Sequence, residues 1–192
     1  MGDPNSLHGT GPASDWILRW AHLVSAGAKV LDVASGAGRH TRLFADRGCS
    51  VTAIDRNPEA LAGLSTCART VVADIESGPW PLAGESFDAI VITHYLWRPL
   101  WPTLLGALAP GGLLLVETFA LGHERLGRPS NPNFLLRPGE LLEVARGLHI
   151  LAYEDGLLDS PARRVQRIAA SAAAGTADPA PGYLPLWPQT GR

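Results

Sequence analysis

The chain has 192 residues and a formal net charge of −2, enough length for one domain with a proper core and no basic field for gripping nucleic acid. Its two cysteines, Cys49 and Cys67, show neither CxxC spacing nor paired histidines, which argues against structural zinc and a disulfide framework and suits a reducing cytoplasm. No apolar run approaches the roughly 20 residues of a membrane span, and the opening MGDPNSLHGTGPAS lacks the charged-then-apolar order of a signal peptide. Lys29 is the only lysine, so arginine carries nearly all the positive charge, a bias that fits a GC-rich bacterial genome.

Residues 1–13 are expected to form a flexible N-terminus. DWILRWAHLV, 15–24, places apolar residues at helical spacing, with Ser14 or Asp15 available as a cap. Residues 29–34 read as a short strand and 39–47 as a helix closed by Gly48. SVTAI is the next strand, ending at Asp55, and NPEALAGL opens a helix with Asn57 as N-cap and Pro58 in its first turn. RTVVAD is a third strand. FDAIVIT, after the turn LAGES, is a fourth. RPLWPTLLGALA is helical, with Pro102 tolerated near its first turn. PGGLLLVETF is a turn and a fifth strand, followed by a long irregular segment and the helix PGELLEVAR. HILAYED and RVQRIAAS are two late strands joined by a short loop. Residues 14–171 make one domain, and 172–192 read as a Pro-rich C-terminal tail.

Strands alternating with helices build a parallel sheet from βαβ units. No helix fits between the last two strands, so they pair as an antiparallel hairpin at one edge. The expected fold is α/β: Rossmann-like and doubly wound, a mostly parallel seven-stranded sheet with a C-terminal antiparallel hairpin strand.

VLDVASGAGRH, 30–40, is an apolar strand running into a glycine-rich turn. A phosphate-binding loop needs GxxxxGK and a following Ser or Thr, and no such lysine is present. The dinucleotide fingerprint GxGxxG finds Gly36 and Gly38, but Thr41 holds its third position. Counted backward, Asp32, Ala34, Gly36 and Gly38 form an acid-x-small-x-Gly-x-Gly pattern. Here the chain resembles the class I S-adenosylmethionine-dependent methyltransferases, whose first motif is an acid followed by GxGxG. Ala34 stands where that family usually has glycine; its methyl group fits provided the backbone keeps a negative φ. The likeness continues through Asp55, VADIES, FDAIVITHYL and LAPGGLLLVE to the final hairpin, covering roughly 30–170. The compact size and NPNFLLRPGELLE are similar to small bacterial methyltransferases of the tellurite-resistance type.

The resemblance implies S-adenosylmethionine as cofactor and S-adenosylhomocysteine as product. The cofactor-binding set is expected to be Asp32, Ala34, Ser35, Gly36, Gly38, Arg39, His40, Asp55, Arg56, Asp74, Ile75 and His94. Asp55 would accept both ribose hydroxyls, Asp74 the adenine amine, and Ile75 would pack on the ring. Asp32 either lies near the methionine end or satisfies the amides of its own turn. Arg39 opens a helix, where a cation is mildly unfavourable, which hints at a carboxylate partner such as the donor's own. His94 and Tyr95 are the catalytic candidates: His94 as a general base, Tyr95 as a wall of the transfer pocket. Residues 121–137 read as a lid or substrate wall, with Phe134, Leu135 and Leu136 needing burial. Tyr95, Arg98, Phe119, Arg128, Asn131 and Phe134 are the substrate and lid residues; Trp97, Trp101 and Leu104 are packing. No residue cluster has metal-ligand spacing.

The resulting expectation is a cytoplasmic methyltransferase acting on a small-molecule acceptor, monomeric or homodimeric, with neither nucleic acid nor membrane as partner. The alternatives are an NAD-linked oxidoreductase and a non-catalytic S-adenosylmethionine-binding module.

Overall fold

A computed structural model describes residues 9–174 and Leu186. Most of the expected N-terminal segment, and the expected tail beyond Ala174 apart from Leu186, lie outside the described residues.

Seven strands form one sheet: β1 (Lys29–Val33), β2 (Ser50–Asp55), β3 (Arg69–Val72), β4 (Phe87–Thr93), β5 (Leu108–Phe119), β6 (His149–Asp159) and β7 (Ala162–Ser171). Their order is β3-β2-β1-β4-β5-β7-β6. The first five run parallel. β7 lies antiparallel between β5 and β6, so the last two strands form the edge hairpin expected from the lack of a helix between them.

Side chains alternate across a strand, and both faces here are apolar. Leu31, Val33, Ile90, Ile92, Leu114 and Val116 join Trp101 and Leu104 on one side. Val30, Ala89, Val91, Leu113 and Leu115 join Trp16, Trp20 and Phe44 on the other. This explains the continuous apolar strands, since a doubly covered sheet has no solvent face. Trp16 and Trp20 come from α1 (Asp15–Trp20), capped by the Ser14 side chain accepting from the Trp16 amide. Phe44 comes from α2 (Arg39–Asp46). The short α3 (Pro58–Leu61) carries the expected Asn57 cap. Trp101 and Leu104 lie on α4 (Trp101–Gly106), and α5 (Glu140–Val144) follows the long irregular segment.

That segment is pinched rather than open. Leu136 bridges Ala120, and its amide donates to the Phe119 carbonyl at 2.9 Å. Leu135 and Leu136 are fully buried, as expected, but Phe134 is 43 % exposed. Of the three apolar residues, Leu135 and Leu136 pin the segment. Arg98 also departs from its expected substrate role. Its Nε and Nη2 donate to the buried Glu140 carboxylate at 2.6 and 2.9 Å, and its other contacts are the carbonyls of Asn133 and Leu135. With its donors spent on the segment, Arg98 is a strut. Burial would raise the Glu140 pKa, but Arg98 and Arg137 outweigh it and hold the carboxyl below its usual value.

The sheet order reverses between β1 and β4, which opens a crevice beyond the carboxyl ends of the strands.

Candidate active site

A cavity of about 350 Å³ fills the crevice at the ends of β1, β2 and β3. Ala34, Gly36, Asp55, Arg56, Asp74 and Ile75 all line it, with His94, Tyr95 and Glu76. The Asp55 carboxylate is fixed from both sides: Oδ2 accepts from the Gly36 amide at 2.8 Å and Oδ1 from the Asn57 amide at 2.9 Å. Each oxygen keeps a lone pair for a ligand. Asp74 Oδ1 accepts from the amides of Glu76 and Ser77, the first of which holds its carboxyl below the usual range.

Ala34 corrects the expectation of negative φ. Its φ is +52°, and His94 is also left-handed at +54°. Both residues line the same cavity, where the turn forces the backbone into a region that L residues disfavour. Gly38 is corrected differently. At φ +78° a Cβ would stand 2.4 Å from the Leu64 side chain. Gly38 serves packing and none of the cavities described here is lined by it.

Two other expected cofactor contacts lie beneath the turn. Asp32 is 1 % exposed and accepts the Thr41 hydroxyl at 2.7 Å; burial pushes its carboxyl up to about 6. His40 is buried between elements. Its Nε2 accepts from the Ser14 amide at 3.1 Å, which leaves Nδ1 to carry the proton toward Thr93 Oγ1 at 3.3 Å. Burial, with Arg39 and His94 nearby, drives its pKa down to about 3, so it is a neutral brace.

A smaller space of about 190 Å³ shares Ala34, Gly36 and His94 with the first and adds Ser35, Arg39, Thr93 and Gly9. The Ser35 hydroxyl there is buried without a hydrogen-bond partner among the described residues. A third cavity, about 520 Å³, shares Arg39 and His94 with it. Phe119 and Arg128 line this one as expected; Asn131 and Phe134 do not. Asn131 instead caps a 3-10 turn through the Asn133 amide. Tyr95 is on the first cavity, not the third, and burial followed by the Glu76 carboxylate pushes its phenol far up. A phenol so placed stays protonated.

Sequence reasoning missed Glu117, His123 and Arg163, which also line the third cavity. Glu117 is 1 % exposed. Its Oε1 lies 3.9 Å from His94 Nε2, and its Oε2 accepts from Arg167 at 3.4 Å. The signal was an acid near the carboxyl end of an otherwise apolar buried strand, LLLVETF. His94, Phe119 and His123 form a stacked ladder with centroids 4.8 and 4.3 Å apart.

Residues 30–112 match the family described as a methyltransferase domain. A ubiquinone biosynthesis O-methyltransferase from Xanthomonas oryzae pv. oryzae is 33 % identical over 196 residues, covering 87 % of this chain and 81 % of that protein. The chain belongs to the class I S-adenosylmethionine-dependent methyltransferases. A demethylmenaquinone methyltransferase from Tropheryma whipplei is 36 % identical over 105 residues, 50 % of this chain; the match spans 44 % of that relative. Other members share the fold at lower identity: TehB from Haemophilus influenzae superposes with a TM-score of 0.71 at 21 % identity, over 86 % of this chain and 64 % of that one. The [4+2]-cyclase SpnF also superposes, with a TM-score of 0.63 at 18 % identity over 87 % of this chain and 84 % of its own. Chemistry on this methyltransferase fold must therefore be argued from the site. No helix among the described residues is long and apolar enough to cross a membrane.

Proposed function

We propose that this chain transfers a methyl group from S-adenosylmethionine to a small-molecule acceptor. The observation that carries the reading is the meeting of the cavities at His94: one has acids at its strand ends, the other a buried Glu117. The first cavity fits an adenosine. Its volume is in the range of small-molecule sites, and the pinned Asp55 carboxylate presents two acceptors for vicinal hydroxyls. Asp74 and Ile75 offer an acceptor and an apolar face for the base. In the smaller space, Arg39 and the unpartnered Ser35 hydroxyl suit an amino-acid carboxylate.

When bound, the cofactor supplies a methyl carbon on a positively charged sulfur, and its carbon–sulfur bond breaks as the acceptor takes the methyl. The chain's own part is placement and proton handling. Holding the acceptor in line is worth on the order of 7–11 kcal/mol where the geometry is a near-attack one. His94 Nε2 takes the proton of an acceptor that arrives protonated, and Glu117 at 3.9 Å stabilises the charge this creates. The protonated Tyr95 serves as a wall of the first cavity.

Relatives named for demethylmenaquinone methylation and ubiquinone biosynthesis support a small acceptor. A cytoplasmic location agrees with free Cys49 and Cys67. The NAD reading is weakened further by Thr41. It occupies the third fingerprint position, is fully buried, and bonds Asp32. Calorimetry with S-adenosylhomocysteine and NAD tests the cofactor: micromolar heat is expected from the first and none from the second. An acceptor panel read by S-adenosylhomocysteine release then tests turnover, and binding without any turnover would favour a non-catalytic module.

A further inference from the structure

Three arginines that are far apart in the chain converge on the third cavity: Arg39 from the start of α2, Arg128 from the segment after β5, and Arg163 from β7. Elsewhere the arginines divide. Arg98, Arg137, Arg164 and Arg167 each lie within 4.0 Å of a carboxylate. Arg42, Arg47, Arg56, Arg125 and Arg146 lack a carboxylate within 4.0 Å among the described residues, but none of them lines this cavity. Arg39, Arg128 and Arg163 have no such partner among the described residues. Arg39 reaches only the Pro12 carbonyl and Arg163 only that of Pro161, each at 3.4 Å. The Arg163 Nε is buried with no hydrogen-bond partner among the described residues.

Gathering like charges costs energy, and a cation in the first turn of α2 opposes the helix dipole. The cavity's two acids relieve this cost only in part, Glu117 through its attraction to Arg39. Glu117 is engaged by Arg167 and faces His94, and Asp15 is exposed at the start of α1. What would offset the rest is a ligand anion, since a guanidinium presents paired donors that match carboxylate and phosphate oxygens. The rest of the lining includes the rings of His94, Phe119 and His123, stacked on one another, with Leu126 and Pro161 among the apolar residues and Ser14 and Ser160 among the polar ones. Rings of this kind favour an aromatic body.

We infer that the acceptor of this enzyme is an aromatic molecule bearing an anionic group, held by Arg128 and Arg163 beside the His94–Phe119–His123 ladder, with Arg39 standing between this anion and the cofactor's carboxylate. This rests on the proposed methyl-transfer reading for the word acceptor, but the anion site has its own test. Benzoate, phenyl phosphate, benzyl alcohol and benzyltrimethylammonium are titrated into the protein with and without S-adenosylhomocysteine, followed by calorimetry and by the arginine Nε–H signals in NMR. Benzoate or phenyl phosphate should bind about tenfold more tightly than benzyl alcohol, the scale of one charge-assisted hydrogen bond, and should shift the Arg163 Nε–H signal. Arg163→Ala should erase that preference and leave S-adenosylhomocysteine affinity unchanged; the exposed Arg128→Ala should weaken it, and serves if Arg163→Ala does not fold. Inorganic phosphate alone should bind more weakly than phenyl phosphate. Equal binding of benzyl alcohol and benzoate, or anions that leave Arg163 unmoved, would overturn the inference. Silence from S-adenosylhomocysteine with benzoate still shifting Arg163 would instead overturn the cofactor reading and leave the anion site standing.

Discussion

Ala34→Gly is expected to stabilise the protein, an unusual direction for a substitution that removes a methyl group. Ala34 holds φ at +52° in the cofactor turn. A left-handed backbone costs an L residue roughly 1–2 kcal/mol. Glycine removes that cost, but its freer unfolded chain gives back about 0.5–1 kcal/mol. The balance is a gain of up to about 1.5 kcal/mol, which for a chain of this size raises Tm by up to roughly 6 °C. Ala34→Val runs the other way, because a β-branched residue at positive φ is a genuine outlier, and should lower Tm by more than glycine raises it. Ala34 also lines two of the cavities, so glycine should leave S-adenosylhomocysteine affinity equal or tighter. Differential scanning calorimetry of the three proteins, with and without S-adenosylhomocysteine, measures both effects. A Tm lowered by Ala34→Gly, or an Ala34→Val protein as stable as wild type, would refute the strain argument.

Asp55→Ala should weaken S-adenosylhomocysteine by about ten- to a hundredfold, since bonds to a charged acceptor contribute roughly 1.5–3 kcal/mol; Asp32→Ala should do less, and equal losses by calorimetry would displace Asp55 from the ribose. Arg98→Ala leaves the buried Glu140 facing only the exposed Arg137, and should cost about 2–3 kcal/mol, short of the 3–5 of a fully buried pair. Limited proteolysis should then cut near 131–134, and a resistant variant of unchanged Tm would mean Arg98 is no strut. Asp32 has a folded pKa of about 6 above its ordinary 3.8, so the folded state holds an extra proton between those values. Stability should therefore fall by roughly 3 kcal/mol as pH rises from 3.8 through 6. Urea unfolding at both ends of that window should show Asp32→Asn gaining on wild type as pH rises; parallel curves would place Asp32 in water.

The sheet was legible because its signals are periodic and local. Continuous apolar strands announce two covered faces, and the absence of a helix between the last two strands forces the hairpin. The lining of the first cavity was legible for a related reason. Ala34, Gly36, Asp55, Arg56, Asp74 and Ile75 all stand at the ends of parallel strands, and strand ends are what periodicity locates. Failures came where long-range packing decides. Gly38 answers to Leu64, His40 to Ser14 and Thr93, and Arg98 to a glutamate 42 positions away. Nothing near these residues in the chain records those partners. Phe134 failed on register: three consecutive apolar residues cannot all face one core, and the bridge at Leu136 settles which of them turn inward.

The lining of the third cavity was least legible because two sheet neighbours build it from residues as much as 50 positions apart in the chain. β5 supplies Glu117 and Phe119, and β7 supplies Arg163 and Arg167. The antiparallel register sets Glu117 against Arg167 and Phe119 against Val165. A shift of β7 by one residue would turn its side chains to the other face, taking Arg167 from Glu117 and leaving a buried carboxylate unpaired. A buried carboxylate without a partner is costly, and the Glu117–Arg167 pair that stands beside His94 would be gone. In the proposed reading the hairpin therefore shapes the chemistry: by pairing Arg167 with Glu117 it holds a carboxylate 3.9 Å from His94, the residue that both proposed cavities share.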